Sequence, residues 1–145
     1  MNARAWATCV ALLALLAFAV PVARADEDAL SAALRQVVEG NLSAFNRKDL
    51  AGSMNLVDTR SPDYDSTKSE LVEDFKNYDL TSELVRFSLI GHDDEFAVAR
   101  VKTKTIAKPN SGFVNNTVDT IVIFHQENGA WKLWSQQVLD AEIIQ

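Results

Sequence analysis

The stretch Asn115–Val138, NNTVDTIVIFHQENGAWKLWSQQV, decides the fold. From Val118 to Phe124 β-branched and aromatic residues run nearly unbroken, which suits a pleated strand covered on both faces. Asn128-Gly129 then supplies the positive φ angles of a tight hairpin turn, and Ala130-Trp131-Lys132-Leu133-Trp134 opens the return strand. Strict alternation along that strand puts Trp131, Leu133, Ser135 and Gln137 on one face and Lys132, Trp134, Gln136 and Val138 on the other.

Working back from this hairpin, the pattern stays strand-like as far as Ser82. Phe96–Ile106 places Ala97, Ala99, Val101, Thr103 and Thr105 on one face and Phe96, Val98, Arg100, Lys102 and Lys104 on the other. A first strand points Val85, Phe87 and Leu89 one way and Leu84, Arg86, Ser88 and Ile90 the other, and Gly91-His92-Asp93-Asp94 turns the chain.

Before Ser82 the period is helical. Leu30, Leu34, Val37, Val38, Asn41 and Phe45 form one stripe of a helix that should begin near Asp26–Asp28, where acidic residues favour the positive end of the helix dipole. Gly40 inside the stripe implies a close neighbour or packing strong enough to outweigh its helix cost. Asn46-Arg47-Lys48 closes the helix, and Asp49 caps a short second one through Leu50, Met54 and Val57. Asp58–Asp65 reads as a loop whose acids face water; it lacks the glycine and terminal glutamate of a calcium loop. Thr67-Lys-Ser-Glu70 is a capping box for a third helix that buries Leu71, Val72, Phe75 and Tyr78. Three helices followed by four meandering strands define an α+β domain with the helices on one face of an antiparallel sheet.

The N-terminal residues read as an export signal. Arg4 precedes an apolar run from Trp6 to Val20, Pro21 breaks it, and Ala23-Arg24-Ala25 has the small residues a signal peptidase requires. Residues 1–25 are thus a signal peptide cleaved after Ala25, residues 26–145 a single domain, and a bacterial periplasm or secretion is the expected setting, with no membrane span left after cleavage. Without Arg4 and Arg24 the chain keeps 12 basic residues against 20 acidic ones, a formal charge of −8, which argues against nucleic acid as a partner. The single cysteine leaves with the signal, so stability must come from a core, for which about 120 residues suffice.

The order of elements resembles the nuclear transport factor 2-like superfamily. The resemblance is carried by Phe45-Asn-Arg-Lys-Asp49, by Asn128-Gly-Ala-Trp-Lys-Leu133, and by Ser61-Pro-Asp-Tyr-Asp-Ser-Thr67, Tyr78-Asp-Leu80 and Phe113-Val-Asn-Asn116, which look like those of small bacterial members of unassigned activity. It implies a cone in which a curved four-stranded sheet wraps a long N-terminal helix. Such a fold serves isomerases, dehydratases, cyclases, adaptors and oligomerisation modules, so it fixes no function. The ketosteroid-isomerase-like members pair an acidic base with an acid or tyrosine near the cone's mouth, and no such pair can be placed on matching positions here.

Chemistry is sparse. His92 sits in a turn, and His125 shares a strand face with Asp119 but, six residues away, lies about 20 Å from it along the strand, too far for a dyad. No zinc spacing, nucleophile elbow or phosphate-binding glycine loop is present, so neither metal nor cofactor is expected. The resemblance turns the Trp131 face into the cone. Ser135 and Gln137, with Asn41, Tyr64, Tyr78 and Thr103, then become candidate polar groups around a small apolar ligand. The Lys132, Trp134 and Gln136 face becomes a candidate for sheet-to-sheet homodimerisation. Two functions compete: an exported non-enzymatic module that binds a small apolar ligand or an envelope partner, and a cofactor-free isomerase or dehydratase using a carboxylate in the cone. A carboxylate and imidazole touching inside the hollow would favour the second.

Overall fold

Four antiparallel strands lie side by side in chain order: β1 (Leu80–His92), β2 (Phe96–Ala107), β3 (Asn116–Glu127) and β4 (Ala130–Ile143). Three helices precede them: α1 (Val20–Asn46), α2 (Leu50–Asn55) and α3 (Tyr64–Asn77). This computed structural model describes residues 20–109 and 111–144. The chain forms two compact units, Met1–Leu30 and Ser31–Gln145. In the first, the described residues are helical from Val20, and Arg24–Ala29 are exposed. Most of the segment read as an export signal lies outside the described residues. The expected helix start at Asp26–Asp28 is corrected to Val20, for Asp26 and Asp28 lie within α1. Among the described residues no helix is long and apolar enough to cross a membrane.

The second unit has the expected α+β architecture, and the register explains its core. Ala97 pairs with Phe124, Ala99 with Val122 and Val101 with Thr120, and all six are buried. Alanines opposite Phe124 and Val122 leave room for the larger side chains to lie across β2. Phe87 stands 6.5 Å from Phe124, ring to ring, on the same face. The helices cover this Phe124 face. Phe45 of α1 packs at 5.5 Å on Phe75 of α3, and together with Tyr78 and Leu80 they enclose no space large enough for a water. Leu34 and Phe124 have no exposed surface.

Bulges correct the faces expected from strict alternation. In β1 the pairing slips between Leu84 and Arg86, so Val85 is the extra residue. It is 52% exposed, while its expected companions Phe87 and Leu89 are half-buried. In β4 the pairing passes from Phe124–Leu133 to Ile123–Ser135, leaving Trp134 as the extra residue. One inserted residue inverts everything downstream. Leu133 therefore shares the Phe124 face, whereas Ser135 and Gln137, opposite Ile123 and Ile121, share the other. Gln136 pairs with Val122 and so leaves the face on which Lys132 opposes His125. Val138, opposite Thr120, goes with Gln136 to the Phe124 face, and a second slip, between Asp119 and Thr120, leaves Leu139 as the extra residue and sets Asp140 opposite Asp119.

The hairpin turn is as expected, with φ of 53° at Asn128 and 81° at Gly129. Asp49 caps α2 by accepting from the Gly52 N–H at 2.8 Å. Gly40 meets the close neighbour its position implied, because a Cβ there would lie 3.3 Å from Leu56 Cδ1. The third helix starts at Tyr64 rather than at the Thr67 box. Asp63 occupies its cap position but accepts from the Ser135 hydroxyl at 2.8 Å, so the loop is anchored to β4 and the helix opens without a side-chain cap. Val72, expected to be buried, is 46% exposed.

Candidate functional site

The chain leaving α2 runs beside β4 as a one-residue parallel bridge between Val57 and Leu133. The Leu133 N–H donates to the Leu56 carbonyl and the Asp58 N–H to the Leu133 carbonyl, both at 2.8 Å. Val57, bridged to Leu133, lies toward the core, so the next residue turns its side chain to the opposite face of the sheet. That residue is Asp58, and the same face carries His125 on β3. The Asp58 carboxylate has no exposed surface and its Oδ2 lies 2.6 Å from His125 Nδ1.

Two further contacts fix the carboxylate. The Arg60 N–H donates to Asp58 Oδ1 at 2.8 Å, and the Arg60 Nε lies 3.5 Å from the same oxygen. Burial works against the charge of Asp58, but the His125 bond, the Arg60 N–H and the Arg60 guanidinium together outweigh it and hold the carboxyl below its usual range. An ionised Asp58 accepts from Nδ1–H, so that in the neutral ring Nε2 is the acceptor nitrogen, and Arg60 Nη2 lies 3.2 Å from the same Nδ1. No described residue bonds Nε2. The ring is packed between Phe96, 4.6 Å away, and Trp134, 4.8 Å away, and Trp134 also stands edge-on to Phe96.

The loop that follows is tied to the same two strands. The Thr59 hydroxyl bonds to the Glu127 carboxylate, and the Thr59 N–H donates to it at 3.1 Å. The Thr59 hydroxyl, opposed by burial and helped by its N–H, lowers the Glu127 carboxyl, and Lys132 Nζ lies 3.5 Å from Oε2. Ser61 Oγ donates to the Trp134 carbonyl at 2.5 Å. Ser135 to Asp63 completes a row of side-chain ties between residues 58–63 and the hairpin, to which Arg60 Nη2 adds contacts with His125 Nδ1 at 3.2 Å and the Gln126 carbonyl at 3.4 Å. The bulge at Trp134 makes the row possible, because it turns Ser135 toward Asp63 and brings the indole over His125.

Sequence reasoning missed this cluster. It read Asp58 as a solvated loop acid, and it correctly separated His125 from Asp119 without finding the carboxylate that His125 meets. Asp119 instead receives Arg100 at 2.9 and 2.7 Å and Arg86 at 3.4 Å. With 67 positions between Asp58 and His125, no local spacing could signal the pair. The one cue was Asp58-Thr-Arg60 itself, a sequence able to fold an aspartate back on its own backbone.

The expected pocket residues are dispersed. Asn41 donates its amide to the Ser53 carbonyl at 3.2 Å, which ties α1 to α2. Tyr64 opens α3, and Tyr78 ends it with its ring 5.5 Å from Phe113. Thr103 sits on the Phe124 face between Leu84 and Val118, and Trp131 opposes Gln126. Ser135 and Gln137 lie on the opposite face, and Gln137 is exposed. Of the proposed dimer residues, Lys132 and Trp134 remain together. His92 is exposed at the end of β1. Among the described residues no group of three or more His, Cys, Asp and Glu side chains could hold a metal ion.

Solved structures similar to this chain share its fold at low identity. A nuclear transport factor 2-like protein of unknown function from Pseudomonas putida is 11% identical with a TM-score of 0.63, covering 77% of this chain and 86% of its own. A scytalone-dehydratase-like protein from Novosphingobium aromaticivorans is 10% identical at a TM-score of 0.67, covering 83% and 92%. Bd1075 of Bdellovibrio bacteriovorus is 13% identical at a TM-score of 0.60 over 72% of this chain, which spans only 38% of that protein. A comparison with curated protein sequences finds no match. The profile of one family matches residues 36–144, from the middle of α1 to the end of β4. With its nuclear transport factor 2-like fold, this chain belongs to the family described as the C-terminal domain of anti-sigma-I factor RsgI9.

Proposed function

We propose that the protein is an exported, non-enzymatic interaction module whose working surface is the His125 face of the sheet, through which two copies pair. The observation that carries this reading is the filled interior. Leu34 and Phe124 are wholly buried, and the space among Phe45, Phe75, Tyr78 and Leu80 admits no water. This favours a surface over an internal site for a small apolar ligand. The His125 face has the right mixture of groups. Val98, Ile121 and Ile123 lie half-buried at its centre, and the charges around them are paired within the chain, Arg86 and Arg100 with Asp119 and Lys102 with Glu142 at 3.2 Å. A two-fold pairing can bury this apolar centre against its copy and leave the internally paired charges at the rim. The family description, a domain of an anti-sigma factor, also supports binding rather than catalysis.

The contact between Asp58 and His125 is the one observation that favours an isomerase or dehydratase, since it presents Nε2 as a base. It lies on the face away from the helices, its ring is covered by two aromatic side chains, and its carboxylate belongs to the row that anchors the loop. A structural role accounts for each of these features. Sedimentation velocity separates the readings: the wild type should sediment as a dimer at about 10 μM, and Ile123→Glu as a folded monomer. A wild-type monomer at that concentration overturns the proposal.

A further inference from the structure

We propose that His125 makes the pairing of two copies acid-sensitive, the dimer holding at neutral pH and loosening as the imidazole takes a proton at Nε2. This rests on the dimer reading above and adds its regulation. The bond to Asp58 occupies Nδ1, so Nε2 is the atom at which the charge of the ring can change. Among the described residues Ser53 Oγ is the one buried side-chain polar atom without a partner, and Nε2, which makes no bond, therefore meets solvent in the single chain. The ring stands beside the apolar centre of the face. Ile123 precedes it on β3 with its side chain on the same face, and Val98 lies opposite Ile123 on β2. A second copy that covers Val98, Ile121 and Ile123 takes water from Nε2 as well.

The charges around the ring are matched without that proton. From the loop after α2, Asp58 Oδ2 lies 2.6 Å and Arg60 Nη2 3.2 Å from Nδ1; from β4, Lys132 stands opposite His125 and is tied to Glu127 at 3.5 Å. Phe96 of β2 and Trp134 of β4 bring rings and no charge. Two acids meet two bases, so an imidazolium adds a charge that nothing within the patch balances. In the single chain water solvates it; in the dimer it must give up that water or separate the copies. The free chain therefore binds the proton more readily than the dimer does. Dissociation takes up protons, and the dimer weakens as pH falls through the interval of about pH 8 to 5 in which histidine changes charge. Asp58, whose carboxyl lies below its usual range, stays ionised throughout. Asp74, whose carboxyl burial and then Glu73 push up, lies on α3 beside Phe75 and Tyr78, on the covered side of the sheet. The effect belongs to the contact between copies, so denaturation of dilute, monomeric protein does not register it.

Sedimentation equilibrium at about pH 7.5 and about pH 5.5 tests this on the wild type, His125→Gln and His92→Gln, since His92 and His125 are the two histidines of the chain. The wild-type dissociation constant should rise at least about tenfold at the lower pH, and so should that of His92→Gln. His125→Gln, whatever its affinity at the higher pH, should have the same constant at both. Where His125→Gln fails to fold, dilution calorimetry of His92→Gln near about pH 6, in two buffers of different ionisation enthalpy, counts the protons directly, and more than about half a proton should be taken up per dimer dissociated. An unchanged wild-type constant, a pH response that survives His125→Gln, or dissociation without proton uptake overturns the switch and leaves the dimer standing. A monomer at the higher pH and about 10 μM overturns the dimer reading, and the switch with it.

Discussion

Asp58 and His125 meet at 2.6 Å between a buried carboxylate and an imidazole held by two aromatic rings. Asp58→Ala removes a buried acceptor and leaves the ring's Nδ1–H and the Arg60 N–H without their partner, so a loss of about 1.5–3 kcal/mol in unfolding free energy is expected. Asp58→Asn retains an acceptor oxygen and should cost less than half as much. Urea denaturation followed by tryptophan fluorescence checks both.

The same carboxylate sets an acid dependence. Its carboxyl is lower in the folded chain than the ordinary aspartate value of 3.8, as is that of Asp119, beside Arg100, and that of Glu127, beside Thr59, is lower than the ordinary glutamate value of 4.5. Groups of this kind contribute stability that is complete above the unfolded pKa and disappears as pH falls through the folded one. The urea midpoint should therefore be level above about pH 5 and drop toward pH 2, with a shallower drop in Asp58→Asn. A midpoint that rises on acidification contradicts this assignment.

Gly40 offers a change of opposite sign. A Cβ at this position would press on Leu56 Cδ1 at 3.3 Å, the far end of a flexible side chain, and removing the glycine recovers about 0.5–1 kcal/mol of helix stability. Gly40→Ala should raise the melting temperature slightly in a calorimetric scan. A fall would mean that Leu56 cannot yield.

Asn46 joins the end of α1 to β1 through both bonds to Ser82. Asn46→Ala should destabilise the domain by about 1–3 kcal/mol, and Asn46→Asp by at least as much, because a carboxylate cannot donate to the Ser82 carbonyl. Amide exchange should rise first at Ser82, whose N–H loses its acceptor in the alanine variant.

The hairpin around Asn128-Gly129, the helical stripe from Leu34 to Phe45 and the two faces of β2 were legible because each follows a local period. The faces of β1 and β4 were not, since a single extra residue at Val85 and at Trp134 inverts the pattern beyond it, and bulges carry no mark in the sequence comparable to Asn-Gly. The start of α3 was misplaced for a related reason. Asp63 gives its carboxylate to Ser135, and that tie exists only once the bulge has turned Ser135 around. Asp58 failed as a solvated acid because its neighbour Val57 pairs with a residue 76 positions away, a contact that tertiary structure alone supplies.

Side-chain oxidation by hydroxyl radicals, compared at about 0.5 μM and about 50 μM protein, addresses whether the His125 face is where copies meet. Ile121, Ile123 and Val98 should become protected at the higher concentration while Val72 and Val114, exposed elsewhere, label equally at both. Unchanged labelling of Ile121, Ile123 and Val98 across that range would contradict the proposed role of the face.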